Sequence, residues 1–278
     1  MSIALATDFK PYVDEQFTTE SKLSLVTNKE FDWNGAHTVK IYKVGTSAMN
    51  DYGRTGAADG NFSRYGSIAD LNADTEEFTI KKDRSFIFNV DKLDTDETKR
   101  KVQAAEALSR QNREVVIHEI DSYVYSVMAA NAGTVAEAKA LADSSIYGDI
   151  LNASKALDDA MVPETGRVLL VTPDTYQMLK RSSEIVLNTD IGADMRIKGV
   201  VANLDGAVVV KIPAVRLPEK FGFMLCHPSA TIAPVKLEDY NIHQNTIYSS
   251  GDVVTGRIAY DAFVLENKKK GIYYQPIA

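Results

Sequence analysis

Two short arrangements in the sequence contain residue types that could do chemistry. His118 and Glu119 lie in a helix-periodic stretch like the start of a zinc-binding His-Glu-x-x-His motif, but position 122 is Ser where the second histidine would stand. Cys226 and His227 are adjacent, yet neighbouring side chains of a strand point to opposite faces, so they cannot meet while the strand continues. We therefore interpret 118–121 as a polar helix face and Cys226 as a buried strand residue.

The other polar clusters do not assemble into a site. Five glycines between positions 45 and 66 match neither a Walker loop nor a GxGxxG pattern, and no predicted helix begins directly after them. The run Lys268-Lys269-Lys270 predicts a solvated turn, with nucleic-acid contact as the open alternative. Because no nucleophile, base and oxyanion donor can be combined, the sequence predicts no catalytic residue, no cofactor-binding residue and no metal ligand, and therefore no enzyme.

Composition sets wider limits. There are 31 basic and 38 acidic side chains, a formal net charge of −7, which argues against a free-standing nucleic-acid-binding module. The single cysteine, Cys226, excludes an intramolecular disulfide and fits a reducing compartment. No apolar run approaches the roughly 18 residues that cross a bilayer, and the N-terminus lacks the features of a signal peptide. We expect a soluble, intracellular, globular protein with no membrane partner.

The first half of the chain predicts extended elements. Residues 1–35 are weakly periodic and carry five aromatic side chains, which is typical of an extended arm. Strand patterns at 37–44 and 78–90 flank a Gly-, Asn- and Asp-rich stretch, which predicts a long hairpin. Helical periodicity from 96 to 128 predicts one helix about 50 Å long, ended at 131–133. The apolar surface of such elements requires cover from other copies.

The second half predicts a packed domain of helices and strands. Residues 167–172 form a continuous apolar run, typical of a strand buried on both faces, and Thr172 and Pro173 predict the cap and first turn of a helix. Further strands are predicted at 207–212, 221–226, 253–265 and 272–274. The residues predicted to line one face of a preceding helix, stopped by Pro163, are Tyr147, Ile150, Leu151, Ser154, Leu157 and Met161. This order of elements predicts an α/β or α+β domain.

Two stretches carry a family resemblance. MVPETGRVLLVTPDTYQMLK, residues 161–180, resembles the Pro-x-x-x-Arg, buried-strand, Thr-Pro-x-x-Tyr segment of tailed-phage major capsid proteins with the HK97-type fold, and HPSATIAPVKLEDYNIH, residues 227–243, resembles the segment that follows. The order of elements along the chain is similar to theirs as well. The resemblance implies an α+β, HK97-like capsid fold with an N-terminal arm (1–35), an E-loop hairpin (36–92), a peripheral domain with its spine helix (93–139), an axial domain (140–245) and returning peripheral strands (246–278).

The same resemblance implies a function. Copies of the chain would assemble as pentamers and hexamers into an icosahedral shell that encloses phage double-stranded DNA without sequence-specific binding. The expected location is the virion, after assembly in the host cytoplasm, with portal, scaffolding and decoration proteins as further partners. The residues predicted to contact other subunits are Phe9, Tyr12, Phe17, Phe31 and Trp33 in the arm and Tyr52, Arg54, Phe62, Arg64 and Tyr65 at the hairpin tip. The alternatives are an encapsulin-like nanocompartment shell and a soluble α/β enzyme with a dispersed site.

Overall fold

The structure of the chain, a computed structural model, describes residues 20–28, 38–56, 63–66, 70, 73–92, 104–182, 203–244, 247 and 250–278. The chain divides into two compact units. We call Trp33–Ile80 the hairpin unit, and Met1–Asp32 together with Lys81–Ala278 the main unit.

The described helices and strands are α+β in character, as predicted. The helices are α1 (Leu23–Val26), α2 (Ala104–Gln111), α3 (Ile117–Ala130), α4 (Ile146–Asp159) and α5 (Pro173–Arg181). The strands are β1 (Thr38–Val44), β2 (Ala73–Thr79), β3 (Lys82–Val90), β4 (Thr134–Val135), β5 (Val168–Val171), β6 (Asn203–Leu204), β7 (Ala207–Lys211), β8 (Phe221–Cys226), β9 (Thr231–Ile232), β10 (Val235–His243), β11 (Asp252–Tyr260), β12 (Phe263–Val264) and β13 (Ile272–Pro276).

A six-stranded mixed sheet forms the centre of the main unit. Its strand order is β4-β13-β8-β5-β7-β6, with β5 parallel to β7 and antiparallel to β8. All residues of β5 and β8 are buried, so the prediction of a strand covered on both faces is confirmed. The predicted cap is confirmed too, because the Thr172 hydroxyl accepts the Thr175 N–H at 3.1 Å at the start of α5.

Helices cover both faces of this sheet. Val124 and Met128 of α3 pack on one face, against the side chains of Leu170 and Met224. On the other face, Ile150 of α4 packs in a second apolar cluster. The alternation of side chains along each strand therefore supplies two separate cores, one on each side of the sheet.

A second, three-stranded sheet has the order β10-β11-β3, with both pairs antiparallel. Its inner face packs on a long helix made of α2, a π-helical turn at Asn112–Val116 and α3. The described part of this long helix, 104–130, is about 40 Å long at about 1.5 Å per residue. The predicted start of the helix at 96 lies outside the described residues, and the π turn was not predicted.

The prediction of one continuous strand over 78–90 is wrong, because the chain leaves the strand conformation in the middle of that range. Thr79 is the last residue of β2, which pairs with β1, and Lys82 is the first residue of β3, which pairs with β11. Between them, the Lys81 N–H donates to Asp261 Oδ2 at 2.8 Å and not to a neighbouring strand. The strand predicted over 253–265 is also divided, because β11 ends at Tyr260 and β12 pairs with β9.

Residues 20–28 differ from the predicted extended arm. The Val26 side chain is fully buried in the core beside the long helix, and the Ser21 hydroxyl donates to Asp121 Oδ1 at 2.6 Å. The Asn28 N–H donates to the carbonyl of Thr231 at 2.8 Å. This short segment therefore packs on the chain's own core through Leu23 and Val26, three positions apart, and is held there by the two hydrogen bonds.

The predicted face of α4 is partly wrong. Ile150, Ser154 and Leu157 are buried as predicted, but Leu151 is exposed. Met161 is 91% exposed because the helix ends at Asp159, two residues before it.

We predict that Gly256→Val destabilises the protein. A Cβ at Gly256 of β11 would lie 2.3 Å from the ring of Phe86, so a side chain there forces the ring or the strands apart. We expect a loss of about 1–3 kcal/mol in the free energy of unfolding, measured by urea denaturation. The control is Gly148→Ala in α4, where a Cβ meets nothing within 4 Å, and it should stabilise by up to about 1 kcal/mol. Equal stability of Gly256→Val and the wild type would contradict this packing.

Candidate functional site

The carboxylates that follow His118 hold structural contacts. Glu119 Oε1 accepts hydrogen bonds from Arg84 Nε at 2.7 Å and from the Tyr260 hydroxyl at 3.1 Å. Asp121 is buried, and its Oδ2 accepts from Arg216 Nη1 at 2.8 Å. The interpretation as a polar helix face is therefore right for Glu119 and wrong for Asp121, which joins the long helix to two distant segments.

Cys226 and His227 do not form a reactive pair. The Cys226 thiol lies 3.6 Å from the carbonyl of Val168, and complete burial raises its pKa to about 12, so it stays protonated at neutral pH. His227 Nδ1 accepts from the Ser229 N–H at 3.2 Å. The prediction of a buried strand cysteine is confirmed.

The hairpin tip brings together four of the predicted contact residues. The rings of Tyr52 and Tyr65 meet edge to face with centroids 5.0 Å apart, and the Gly53 N–H donates to the carbonyl of Arg64 at 2.9 Å. Tyr65 is 77% exposed, Tyr52 is 51% exposed, and the side chains of Arg54 and Arg64 are exposed. We call these four residues the tip cluster. Exposed aromatic and arginine side chains are typical of protein–protein contact surfaces.

The remaining predicted contact residues lie outside the described part of the chain. They are Phe9, Tyr12, Phe17, Phe31, Trp33 and Phe62. Met49, which was not predicted, adjoins the tip cluster in sequence and is 99% exposed.

Within the described ranges, no group of three or more His, Cys, Asp or Glu side chains could hold a metal ion. No helix among those residues is both long and apolar enough to span a bilayer. Lys268, Lys269 and Lys270 lie in an exposed 3₁₀ turn, Glu266–Gly271, in agreement with the predicted solvated turn.

Comparisons with known proteins identify the fold. No protein-family model matches the sequence, and no curated protein matches it. A solved structure from Mycobacterium phage Che8 matches with a TM-score of 0.80 and 21% identity, over 98% of this chain and 96% of that chain. The capsid structure of cyanophage P-SCSP1u matches with a TM-score of 0.78 and 14% identity, over 98% and 93%. The mature capsid of bacteriophage PhiM1 matches with a TM-score of 0.75 and 13% identity, over 99% and 92%.

The chain has the HK97-type capsid fold. Both chains are covered almost completely in each comparison, so the likeness extends to the whole fold and is not confined to one sheet. The fold class inferred from the order of elements is confirmed.

In this chain, the arginine of the Pro-x-x-x-Arg motif, Arg167, organises a loop. Arg167 is only 2% exposed and donates to the carbonyl of Pro163 at 3.0 Å and to that of Val162 at 2.6 Å. Its Nη2 also donates to Asp158 Oδ1 at 2.6 Å. Arg167 therefore ties the end of α4 and the following loop to β5. Its role in the described structure is architectural.

We predict that Arg167→Met lowers the free energy of unfolding by about 3 kcal/mol, because two carbonyl acceptors lose their donor inside the fold. Urea denaturation measures the change. Asp158→Asn is the matched control, since the Asp158 side chain is 50% exposed, and it should cost at most about 1 kcal/mol. Arg167→Met with near wild-type stability would show that these hydrogen bonds contribute little.

We predict that His227 makes the capsid fold less stable at acidic pH. Burial holds the imidazole pKa of His227 below its ordinary value in the native state. The unfolded chain takes up the proton first, near the ordinary pKa of about 6.5. The free energy of unfolding therefore falls as the pH decreases from that value to the native pKa. Urea titrations of His227→Asn at pH 7.5 and 5.5 should show a smaller decrease than the wild type. An equal decrease in both would exclude His227 as the cause.

Proposed function

We propose that this chain is a phage major capsid protein that assembles as pentamers and hexamers into an icosahedral shell around double-stranded DNA. The observation that carries the proposal is the match to phage capsid structures along 98–99% of the chain, at TM-scores of 0.75 and 0.78. The contacts within the described structure support a structural role, since Glu119, Asp121, Arg167 and Arg216 make hydrogen bonds inside the fold and Cys226 is buried.

The fold suggests how the parts divide this work. We assign the six-stranded sheet with α4 and α5 to the axial domain, predicted over 140–245, although its strands β4 and β13 lie outside that range. We assign the long helix with the sheet β10-β11-β3 to the peripheral domain, although β10 lies within 140–245. We assign the hairpin unit to the E-loop. In this assignment the predicted E-loop, 36–92, ends at Ile80, and β3 belongs to the peripheral domain.

The tip cluster is the candidate contact surface between copies. Tyr52 and Tyr65 are exposed to solvent in a single chain, and a neighbouring subunit would bury them. We keep the proposal of subunit contact for Phe9, Tyr12, Phe17, Phe31, Trp33 and Phe62 on the strength of their type and position in the sequence.

The acidic charge fits a container for DNA. At a formal net charge of −7, the chain has no general attraction for phosphates, so a wall built from it would hold packed DNA without salt-dependent adhesion. We accordingly propose no sequence-specific DNA binding and, because the sequence predicts no catalytic residue, no enzymatic activity. Portal, scaffolding and decoration proteins, a virion location and assembly in the host cytoplasm follow from the proposed role.

Phage capsid structures favour this proposal over an encapsulin-like compartment, because the matches come from phages and include one mature capsid. Particles purified from expressing cells with a cargo enzyme inside, and no dependence on phage packaging proteins, would favour the compartment instead.

We predict that deletion of residues 50–68, with a short Gly-Ser link, abolishes shells and leaves the main unit folded. The deletion removes the tip cluster and leaves β1, β2 and every core residue of the main unit in place. Sedimentation velocity should show shells for the wild type and small species for the deletion, with an unchanged far-ultraviolet circular dichroism spectrum. Normal shells from the deleted chain would exclude the tip as a required contact.

A point-variant pair refines this test. Tyr52→Ala/Tyr65→Ala should reduce the yield of shells at least tenfold, because it removes both rings. Tyr52→Phe/Tyr65→Phe keeps the rings and should assemble close to the wild-type yield. Equal yields from the two double variants would show that the rings are not the contact.

A further inference from the structure

The hairpin unit is joined to the main unit by two chain connections. The first runs from Asn28, the last residue described before the unit begins at Trp33. The second lies at Ile80–Lys81, where the chain passes from the hairpin unit into the main unit. Each connection is held by a hydrogen bond at its main-unit end.

Both hydrogen bonds end on one small structure. The Asn28 N–H donates at 2.8 Å to the carbonyl of Thr231 in β9. The Lys81 N–H donates at 2.8 Å to Oδ2 of Asp261, which stands two residues before β12. The strands β9 and β12 pair with each other, with Phe263 opposite Ile232.

Asp261 makes further hydrogen bonds within the main unit besides the one that it accepts from the Lys81 N–H. The residue is 3% exposed, and Oδ1 accepts from the Tyr123 hydroxyl at 2.7 Å and from the Ala262 N–H at 2.8 Å. Its own N–H donates to the carbonyl of Pro234 at 3.2 Å. The three hydrogen bonds that the Asp261 carboxylate accepts come from Tyr123 in the long helix, from Ala262 in the turn after β11 and from Lys81, the first residue after the hairpin unit.

We infer that Asp261 is a positioning residue that fixes where the hairpin unit begins, and that shell assembly requires it. The inference rests on the proposed function, in which the hairpin tip contacts a neighbouring copy. A contact made at the end of a long hairpin is reproducible only if the base of the hairpin is fixed, because a small freedom at the base moves the tip by a larger distance.

The chemistry of the carboxylate makes this testable with an isosteric variant. Asn has one acceptor oxygen where Asp has two, and its amide nitrogen is a donor. The Asn side chain of Asp261→Asn can take two orientations. In the first, its oxygen lies at the Oδ1 position and keeps the hydrogen bonds from Tyr123 and Ala262, and the amide nitrogen faces the Lys81 N–H. If the oxygen takes the Oδ2 position, the nitrogen faces the Ala262 N–H. In neither orientation does Asn accept from all three donors. The first orientation keeps two of the three hydrogen bonds and loses the one from the Lys81 N–H.

Tyr123→Phe is the matched control. It removes one hydrogen bond to the same carboxylate and leaves Lys81 held by Oδ2. We expect hydrogen exchange, measured by mass spectrometry on a peptide spanning 78–84, to be about tenfold faster in Asp261→Asn and nearly unchanged in Tyr123→Phe. We expect Asp261→Asn to form few or irregular shells in electron micrographs, and Tyr123→Phe to form regular ones.

A second pair tests the same bond from the donor side, and decides the matter if Asp261→Asn does not fold. Lys81→Pro removes the N–H and leaves Asp261 with its other partners, and Lys81→Ala keeps the N–H and removes only an exposed side chain. Lys81→Pro should lose regular shells and Lys81→Ala should keep them.

The outcomes separate the inference from the proposed function. If the wild type forms no shells, the proposed function is wrong. If the wild type forms shells and both variants of each pair assemble alike, the role of Asp261 is wrong and the proposed function stands. Loss of regular shells confined to Asp261→Asn and Lys81→Pro supports the inference.

Discussion

A two-stranded hairpin has no second layer in which to bury apolar side chains, and alone in water it is at best marginally stable. The hairpin unit is subject to this constraint. Phe78 is the one buried side chain among those described in the unit, while Tyr42 and Tyr65 keep about three quarters of their surface exposed. In the proposed function, neighbouring copies in a shell would supply the missing cover for this element.

The main unit completes its packing within one chain. The central sheet carries a core on each face, and Arg167 and the Asp121–Arg216 pair tie loops and the N-terminal segment to it. Burying an ion pair is costly unless its hydrogen bonds are satisfied, and Ser21 contributes one to Asp121. A stable body with an insufficiently covered hairpin is the physical basis on which we assign an assembly role.

The sequence predicted those elements whose signal is local. The apolar run 168–171 and the Thr172–Pro173 helix start are confirmed, since burial on both faces and capping are readable from neighbouring residues. The break at Lys81 was not predictable, because Asp261, which accepts its N–H, is 180 residues away. For the candidate site, the subunit contact of Tyr52 and Tyr65 stays a prediction, and the contact between their two rings depends on a turn that the glycine-rich sequence leaves open.

We propose that copies of this chain form a closed shell through contacts at the hairpin tip. Cryo-electron microscopy of particles formed by the purified wild-type chain tests it most directly. We expect an icosahedral reconstruction in which Tyr52 and Tyr65 of each copy lie within about 4.5 Å of a neighbouring subunit. A chain that remains monomeric at assembly concentrations, or a shell in which both rings still face solvent, would contradict it.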